Sequence, residues 1–224
     1  MPMMPYVSPE QAMKDKADFA RKGISRGRSV VALTTENGLL FVAENPSATL
    51  HKVSEIYDCI AFAAVGKYNE FEQLRVAGIR LADVKGYQYS RDDVTGRALA
   101  NAYANAMGAT FTDSPKPLEV ELLVAEVAED DVELYHILYD GSITDEENYV
   151  AIGGSAEAIN EALKNRFEPG MDRATALRTT VAALQEVEER EMVADRLEVA
   201  GLDRALGRRK FFRLSEDDIA GMLS

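Results

Sequence analysis

The feature that most constrains this chain is a pair of apolar, β-branched runs joined by a tight-turn signal. Ser29-Val30-Val31-Ala32-Leu33 and Leu39-Leu40-Phe41-Val42-Ala43 are connected through Asn37-Gly38. Both turn residues tolerate positive φ, so the pair is the strongest short-range hairpin signal. Further strands are expected near residues 52–57, 60–65, 118–128, 132–139, 148–152, 196–202 and 209–214, with Asp140-Gly141 as a second hairpin turn. In the 118–128 run, Leu118, Val120, Leu122 and Val124 alternate with Glu119 and Glu121, which predicts one buried face and a second face wet at one end. Consecutive hairpins argue against a parallel sheet built from βαβ units.

Helical patterns fall between these blocks in pairs. Phe71, Leu74, Gly78 and Leu81 share one helical face. The next helix is expected to begin at Asp92-Asp93, where negative charge suits an N-terminus, and to pack through Ala98, Ala102 and Ala106. Gly153-Gly154-Ser155 leads into a second pair, about 156–166 and 171–188, and Ser215-Glu216-Asp217-Asp218 caps a closing helix. A further helix is expected over 9–22: Ser8 as cap, Pro9 at the first position, Gln11 completing a capping box and Gly23 as the stop. Its apolar residues, Ala12, Met13, Ala17, Phe19 and Ala20, are few and small, so a neighbouring chain is expected to bury it. The economical arrangement is α+β, a four-layer αββα sandwich with an extra N-terminal helix. Residues 1–7, with Pro2 and Pro5, read as an extended arm before a single domain over 8–224.

Charge narrows the partners. With 25 Lys+Arg against 38 Asp+Glu the formal net charge is −13, which disfavours general binding to nucleic-acid phosphates. Residues 113–198 alone carry 7 basic and 22 acidic groups, whereas residues 1–52 carry 7 and 5. Cys59 is the one cysteine, so no internal disulfide forms, as suits a reducing compartment. The longest apolar run, Ile60 to Val65, is far short of the roughly 20 residues a membrane span requires. No signal peptide is evident, and a cytoplasmic location without membrane association is expected.

Most chemical motifs fail on inspection. Val65-Gly66-Lys67 is not a phosphate loop, because Ala61 stands where a glycine is needed and Tyr68 where Ser or Thr is needed. Gly153-Gly154-Ser155-Ala156-Glu157 lacks the last glycine of a nucleophile elbow, and Ser155 reads as a helix cap. His136 lies in an apolar strand, where a hydrogen-bonded structural histidine is the commoner case, and no metal-ligand spacing is present. Lys52 stands out mildly, following a loop and opening a strand.

Several words, taken together, carry a resemblance over nearly the whole chain: Val7-Ser8-Pro9-Glu10-Gln11-Ala12-Met13, Phe41-Val42-Ala43-Glu44-Asn45-Pro46, Ala63-Ala64-Val65-Gly66-Lys67-Tyr68-Asn69-Glu70-Phe71, Arg91-Asp92-Asp93-Val94-Thr95-Gly96-Arg97 and Tyr139-Asp140-Gly141-Ser142-Ile143. The chain resembles the α-subunit family of the 20S proteasome, of the actinobacterial type. The resemblance implies the proteasome-like (Ntn-hydrolase) αββα fold and a heptameric ring with neighbouring α-subunits. Such rings use heterologous contacts and stack on rings of proteasome β-subunits.

The resemblance also implies roles. Met1, Pro2, Met3, Met4, Pro5, Tyr6 and Val7 would form a gating arm, which lacks the Tyr-Asp-Arg motif of archaeal relatives. Phe111, Thr112, Asp113 and Ser114 are similar in position to a loop lining the inner pore. Lys52 matches the lysine that receives an activator's C-terminal carboxylate, and Gly66 matches a pocket glycine where a side chain would crowd the incoming tail. The implied partners are a hexameric AAA ATPase or another activator, and unfolded protein substrates; no cofactor is implied.

The competing reading is a β-type Ntn hydrolase, whose nucleophile is an N-terminal Thr with a free amine as base. Here the equivalent strand begins internally at Arg28-Ser29, so Glu44, the counterpart of the β-type acid, has no nucleophile to serve and the chain is expected to be non-catalytic. The acidic segment is expected to face the barrel wall, leaving the docking end cationic.

Overall fold

In a computed structural model, the chain is described over residues 8–224. Residues 1–7, which carry the expected gating arm, lie outside the described residues. The elements run α1 (Pro9–Ile24), β1 (Val30–Thr35), β2 (Gly38–Glu44), β3 (Val53–Tyr57), β4 (Ile60–Gly66), α2 (Tyr68–Gln88), α3 (Gly96–Asp113), β5 (Val120–Val127), β6 (Val132–Ile137), β7 (Ile143–Asp145), β8 (Tyr149–Ile152), α4 (Ala156–Lys164), α5 (Arg173–Glu188), β9 (Leu197–Asp203), β10 (Phe211–Arg213) and α6 (Glu216–Leu223).

The strands form two five-stranded sheets, in the orders β10-β9-β2-β1-β8 and β3-β4-β5-β6-β7. Every pairing is antiparallel. The alternation of side chains along each strand assigns them to separate layers. From β1, Val30 and Ala32 enter the core between the sheets with Phe41, Ala63, Leu123 and Ala200. Val31 and Leu33 point the other way, onto Ile159, Leu163, Leu177 and Val181 of α4 and α5. On the outer face of the second sheet, Phe62, Leu122 and Val124 meet Phe71 of α2 and Leu99, Tyr103 and Met107 of α3. This is the expected αββα sandwich.

The extra helix α1 buries only Ala20 and Ile24, and Met13 and Phe19 remain 40% and 47% exposed. Ser8 accepts from the Gln11 amide, but the Gln11 side chain turns forward to Asp15 at 2.7 Å, so the capping box is half made. Gly23 does not stop the helix, which continues to Ile24; a Cβ at Gly23 would overlap the Glu119 side chain.

Other local expectations shift. Thr35 pairs with Gly38, so the first hairpin loop is Glu36-Asn37, and Gly38 (φ +152) opens β2 with no room for a Cβ against the Leu202 carbonyl. Asp92 and Asp93 form a separate 3-10 turn capped by Ser90, and α3 starts later, capped by Thr95. That helix packs through Leu99, Ala100, Tyr103, Ala104 and Met107 rather than Ala98, Ala102 and Ala106. Leu81 of α2 is 43% exposed, and Ala82 takes the buried place beside Gly78. The buried stripe of α3 carries Leu99, Tyr103 and Met107 at four-residue spacing, and these large side chains bury more area on the sheet than alanines would.

Ser155 precedes α4 but its hydroxyl makes no capping bond. Among the described residues no helix is long and apolar enough to cross a membrane.

Candidate functional site

Four of the singled-out residues, Arg28, Glu44, Lys52 and Gly66, lie at one end of the sandwich, where β1 and β9 begin and β2, β4 and β10 end. Arg28 precedes β1, and its guanidinium is ion-paired with Glu44, the last residue of β2. Glu44 is 4% exposed and is also bound by Arg190, from the turn that follows α5. That turn places Glu189 at φ 51, the one non-glycine residue with positive φ among those described, and Arg190 follows it. Arg190 is further paired with Glu188 at 3.1 Å. The acid that sequence reasoning singled out is thus held between two guanidiniums.

Lys52 lies just before β3 and is half-buried. Its ammonium donates to the carbonyl oxygen of Arg28, where the chain enters β1. Burial pushes the Lys52 pKa down to about 8; Glu198 and Glu44 oppose this and Arg28 adds to it. Its own carbonyl accepts from the Ala64 amide at 3.0 Å, which fixes the strand entry against β4.

Gly66 closes β4 on the other side of the same segment: a Cβ placed on Gly27 would come within 3.2 Å of the Gly66 nitrogen. Gly66 has φ +116, and a Cβ there would overlap the Glu119 carbonyl oxygen across the β4–β5 ladder. The fold itself therefore demands glycine at this position, apart from any incoming tail.

Sequence reasoning missed the residue that ties this end together. Glu198 in β9 is 7% exposed. It accepts hydrogen bonds from Asn45 Nδ2 at 2.7 Å, Lys52 N at 2.9 Å, Val53 N at 3.1 Å and Arg213 Nη1 at 2.5 Å. His51 Nδ1 lies 3.4 Å away. Burial alone would raise its pKa, but the bonds from the Lys52 amide, Asn45 and Arg213 outweigh that and hold the carboxyl below its ordinary range. A signal was present: Glu198 is a lone carboxylate inside the apolar run Leu197-Glu198-Val199-Ala200.

Arg28 and Arg190 pair with Glu44, Arg190 with Glu188 and Arg213 with Glu198, while Glu198, Arg28 and Glu44 act on the Lys52 ammonium. These groups form an interlocked set of ion pairs on a chain of net charge −13. Its makers do not respect the segment division, since Glu188, Arg190 and Glu198 all come from the acidic stretch.

The segment Phe111 to Ser114 is not a loop. Phe111, Thr112 and Asp113 are the last turn of α3 and Ser114 is its C-cap. Lys16 of α1 donates to the carbonyls of Phe111 at 2.9 Å and Thr112 at 3.2 Å, satisfying two acceptors that a helix C-terminus leaves open. The Phe111 ring packs against Tyr139 at 5.8 Å, while Thr112 and Asp113 stay exposed.

The remaining candidates are structural. His136 Nε2 lies 2.6 Å from Glu121, whose other oxygen accepts from the Gly153 amide at 3.1 Å. Glu121 is therefore buried, not wet: it links β5 and β6 to the segment after β8. Among the described residues no cluster of three or more His, Cys, Asp or Glu could hold a metal.

Comparison with known proteins agrees in register and extent. Residues 24–201 match the family model described as Proteasome subunit. A Thermobifida fusca protein named Proteasome subunit alpha is 56% identical over 227 residues, covering 100% of this chain and 91% of the relative. Proteins of the same name from Frankia casuarinae (57%, covering 98% of this chain and 95% of the relative) and Kineococcus radiotolerans (56%, 98% and 97%) are equally similar.

Proposed function

This chain belongs to the proteasome subunit family, of the α type found in actinobacteria, and we propose that it is the non-catalytic subunit that closes and docks the particle. Seven copies form the outer ring on a ring of β-subunits in the cytoplasm, and unfolded protein passes through it. The observation that carries the non-catalytic reading is the state of the position where a β-type nucleophile would stand. It is occupied by Arg28, internal to the chain, with its side chain paired to Glu44 and its carbonyl bound by Lys52. No free α-amine is available there to act as base.

Docking is assigned to Lys52. It presents an ammonium, which suits the terminal carboxylate of an ATPase or other activator. Gly66 is assigned to the same pocket: it borders Gly27, whose neighbour in sequence, Arg28, gives its carbonyl to Lys52. Residues 1–7 are assigned to the gate, and the exposed Thr112 and Asp113 to the channel side of α3.

The test is co-expression with the cognate β-subunit, followed by sizing and peptidase assay. Deleting residues 2–7 is expected to raise basal peptide hydrolysis, and unchanged hydrolysis counts against the gate. Lys52→Ala is expected to abolish stimulation by an activator tail peptide while rings still assemble, and retained stimulation removes the docking assignment.

A further inference from the structure

Resting on the docking assignment of Lys52, we propose that Glu198 is a positioning residue for that docking. It anchors the segment that carries Lys52 and sets the local potential in which the ammonium meets a carboxylate.

The geometry is that of a hub. Glu198 sits near the start of β9 in one sheet, and the amides it accepts from, Lys52 and Val53, enter β3 of the other. Asn45 Nδ2 joins Glu198 from the end of β2 and also donates to the Leu50 carbonyl at 2.7 Å, so residues 45–53 are pinned at both ends. Arg213 completes the set from β10, bonding Glu198 at 2.5 Å and the Val53 carbonyl at 2.6 Å.

These donors saturate the two carboxylate oxygens. The Lys52 ammonium is left to bond the Arg28 carbonyl, its one hydrogen-bond partner among the described residues. An ammonium can donate three bonds, so it keeps donors for a ligand.

The charge of Glu198 matters separately from its bonds. The groups facing the ammonium are Glu198 and Glu44, which favour its charged form, and Arg28, which opposes it. Arg190, Arg213 and His51 stand behind these. Removing the Glu198 charge leaves Glu44 as the one carboxylate facing the ammonium against burial and Arg28, so Lys52 gives up its proton at lower pH. Glu198→Gln also turns an NH2 group toward amide donors, which loosens the 45–53 segment.

The assembled α/β particle is titrated with a synthetic peptide matching the C-terminus of its cognate ATPase, and stimulated hydrolysis is followed from about pH 6.5 to about pH 9. Glu198→Gln is expected to raise the half-saturating peptide concentration about tenfold near neutral pH. It is also expected to move the alkaline loss of binding to lower pH. Glu198→Asp, which keeps the charge, is expected to restore that pH midpoint even where affinity stays reduced. An unchanged half-saturation and pH profile in Glu198→Gln overturns the proposal. So does weaker binding with an unshifted midpoint, which is the signature of a structural role alone. If Glu198→Gln does not assemble, the Glu198→Asp midpoint decides: one at the wild-type pH supports the proposal, and one moved to lower pH overturns it. Stimulation that survives in Lys52→Ala overturns the docking assignment itself, a different failure from either outcome at Glu198.

Discussion

Arg190 closes on Glu44 across 146 residues of sequence and, with Arg28, leaves that buried carboxylate no open side. The three side chains form an ion-pair triad at the end of the sandwich where β1 begins and β2 ends. Arg190 follows Glu189, the one described non-glycine residue with positive φ (51°).

Glu44→Ala is expected to lower stability by about 2 kcal/mol, because Arg28 and Arg190 lose their shared acceptor yet remain partly exposed to water. Arg190→Ala, which leaves Glu44 paired to Arg28, is expected to cost about half as much. Urea unfolding midpoints measure both, and equal losses would contradict the asymmetry.

Gly66→Ala is expected to destabilise the chain by about 3 kcal/mol, since φ +116 and the Glu119 carbonyl both exclude a Cβ. The loss is predicted in the chain alone, with no activator present. A variant with wild-type melting that fails only in activator stimulation would show that the pocket role, not the backbone, sets this residue.

Lys16→Met is expected to free the last carbonyls of α3 and loosen α1, at about 1 kcal/mol. Amide exchange across 9–24 and 110–114 is predicted to quicken. If residues 1–7, which precede α1 in the sequence, form the proposed gate, basal peptide hydrolysis of the assembled particle is predicted to rise.

Activator binding should depend on pH through Lys52. Its pKa in the folded chain is lowered to about 8, so tail-peptide affinity is expected to fall as pH rises through 8. The stability linkage has the opposite sign. Between about 8 and 10.5 the unfolded chain binds the proton more tightly, so this group's contribution to stability rises with pH over that window. A titration of peptide affinity in wild type beside Lys52→Met separates this effect from the rest of the particle; an equal fall in residual affinity in both would sink it.

The fold was legible in the sequence because its signals are local. Period-two alternation, hairpin turns and helix caps such as Ser8, Thr95 and Ser215 act within a few residues, and they suffice to order two antiparallel sheets between helix pairs. The same locality explains the misses. Whether α3 buries Leu99 or Ala98 depends on which of its faces meets the second sheet, where Leu99, Tyr103 and Met107 pack with Phe62 and Leu122.

By itself the sequence determined the layers and the family, and it singled out Glu44 and Lys52 as residues to look at. Only the tertiary structure decided what Lys52 touches, because Glu198 and the Arg28 carbonyl are remote from it in sequence and meet it through the β2–β9 pairing and the stacking of the two sheets. It likewise decided that the ion-paired end draws on the acidic segment, and that Glu121 is buried against His136. Long-range electrostatics follow from which strands become neighbours, and no window of sequence contains that information.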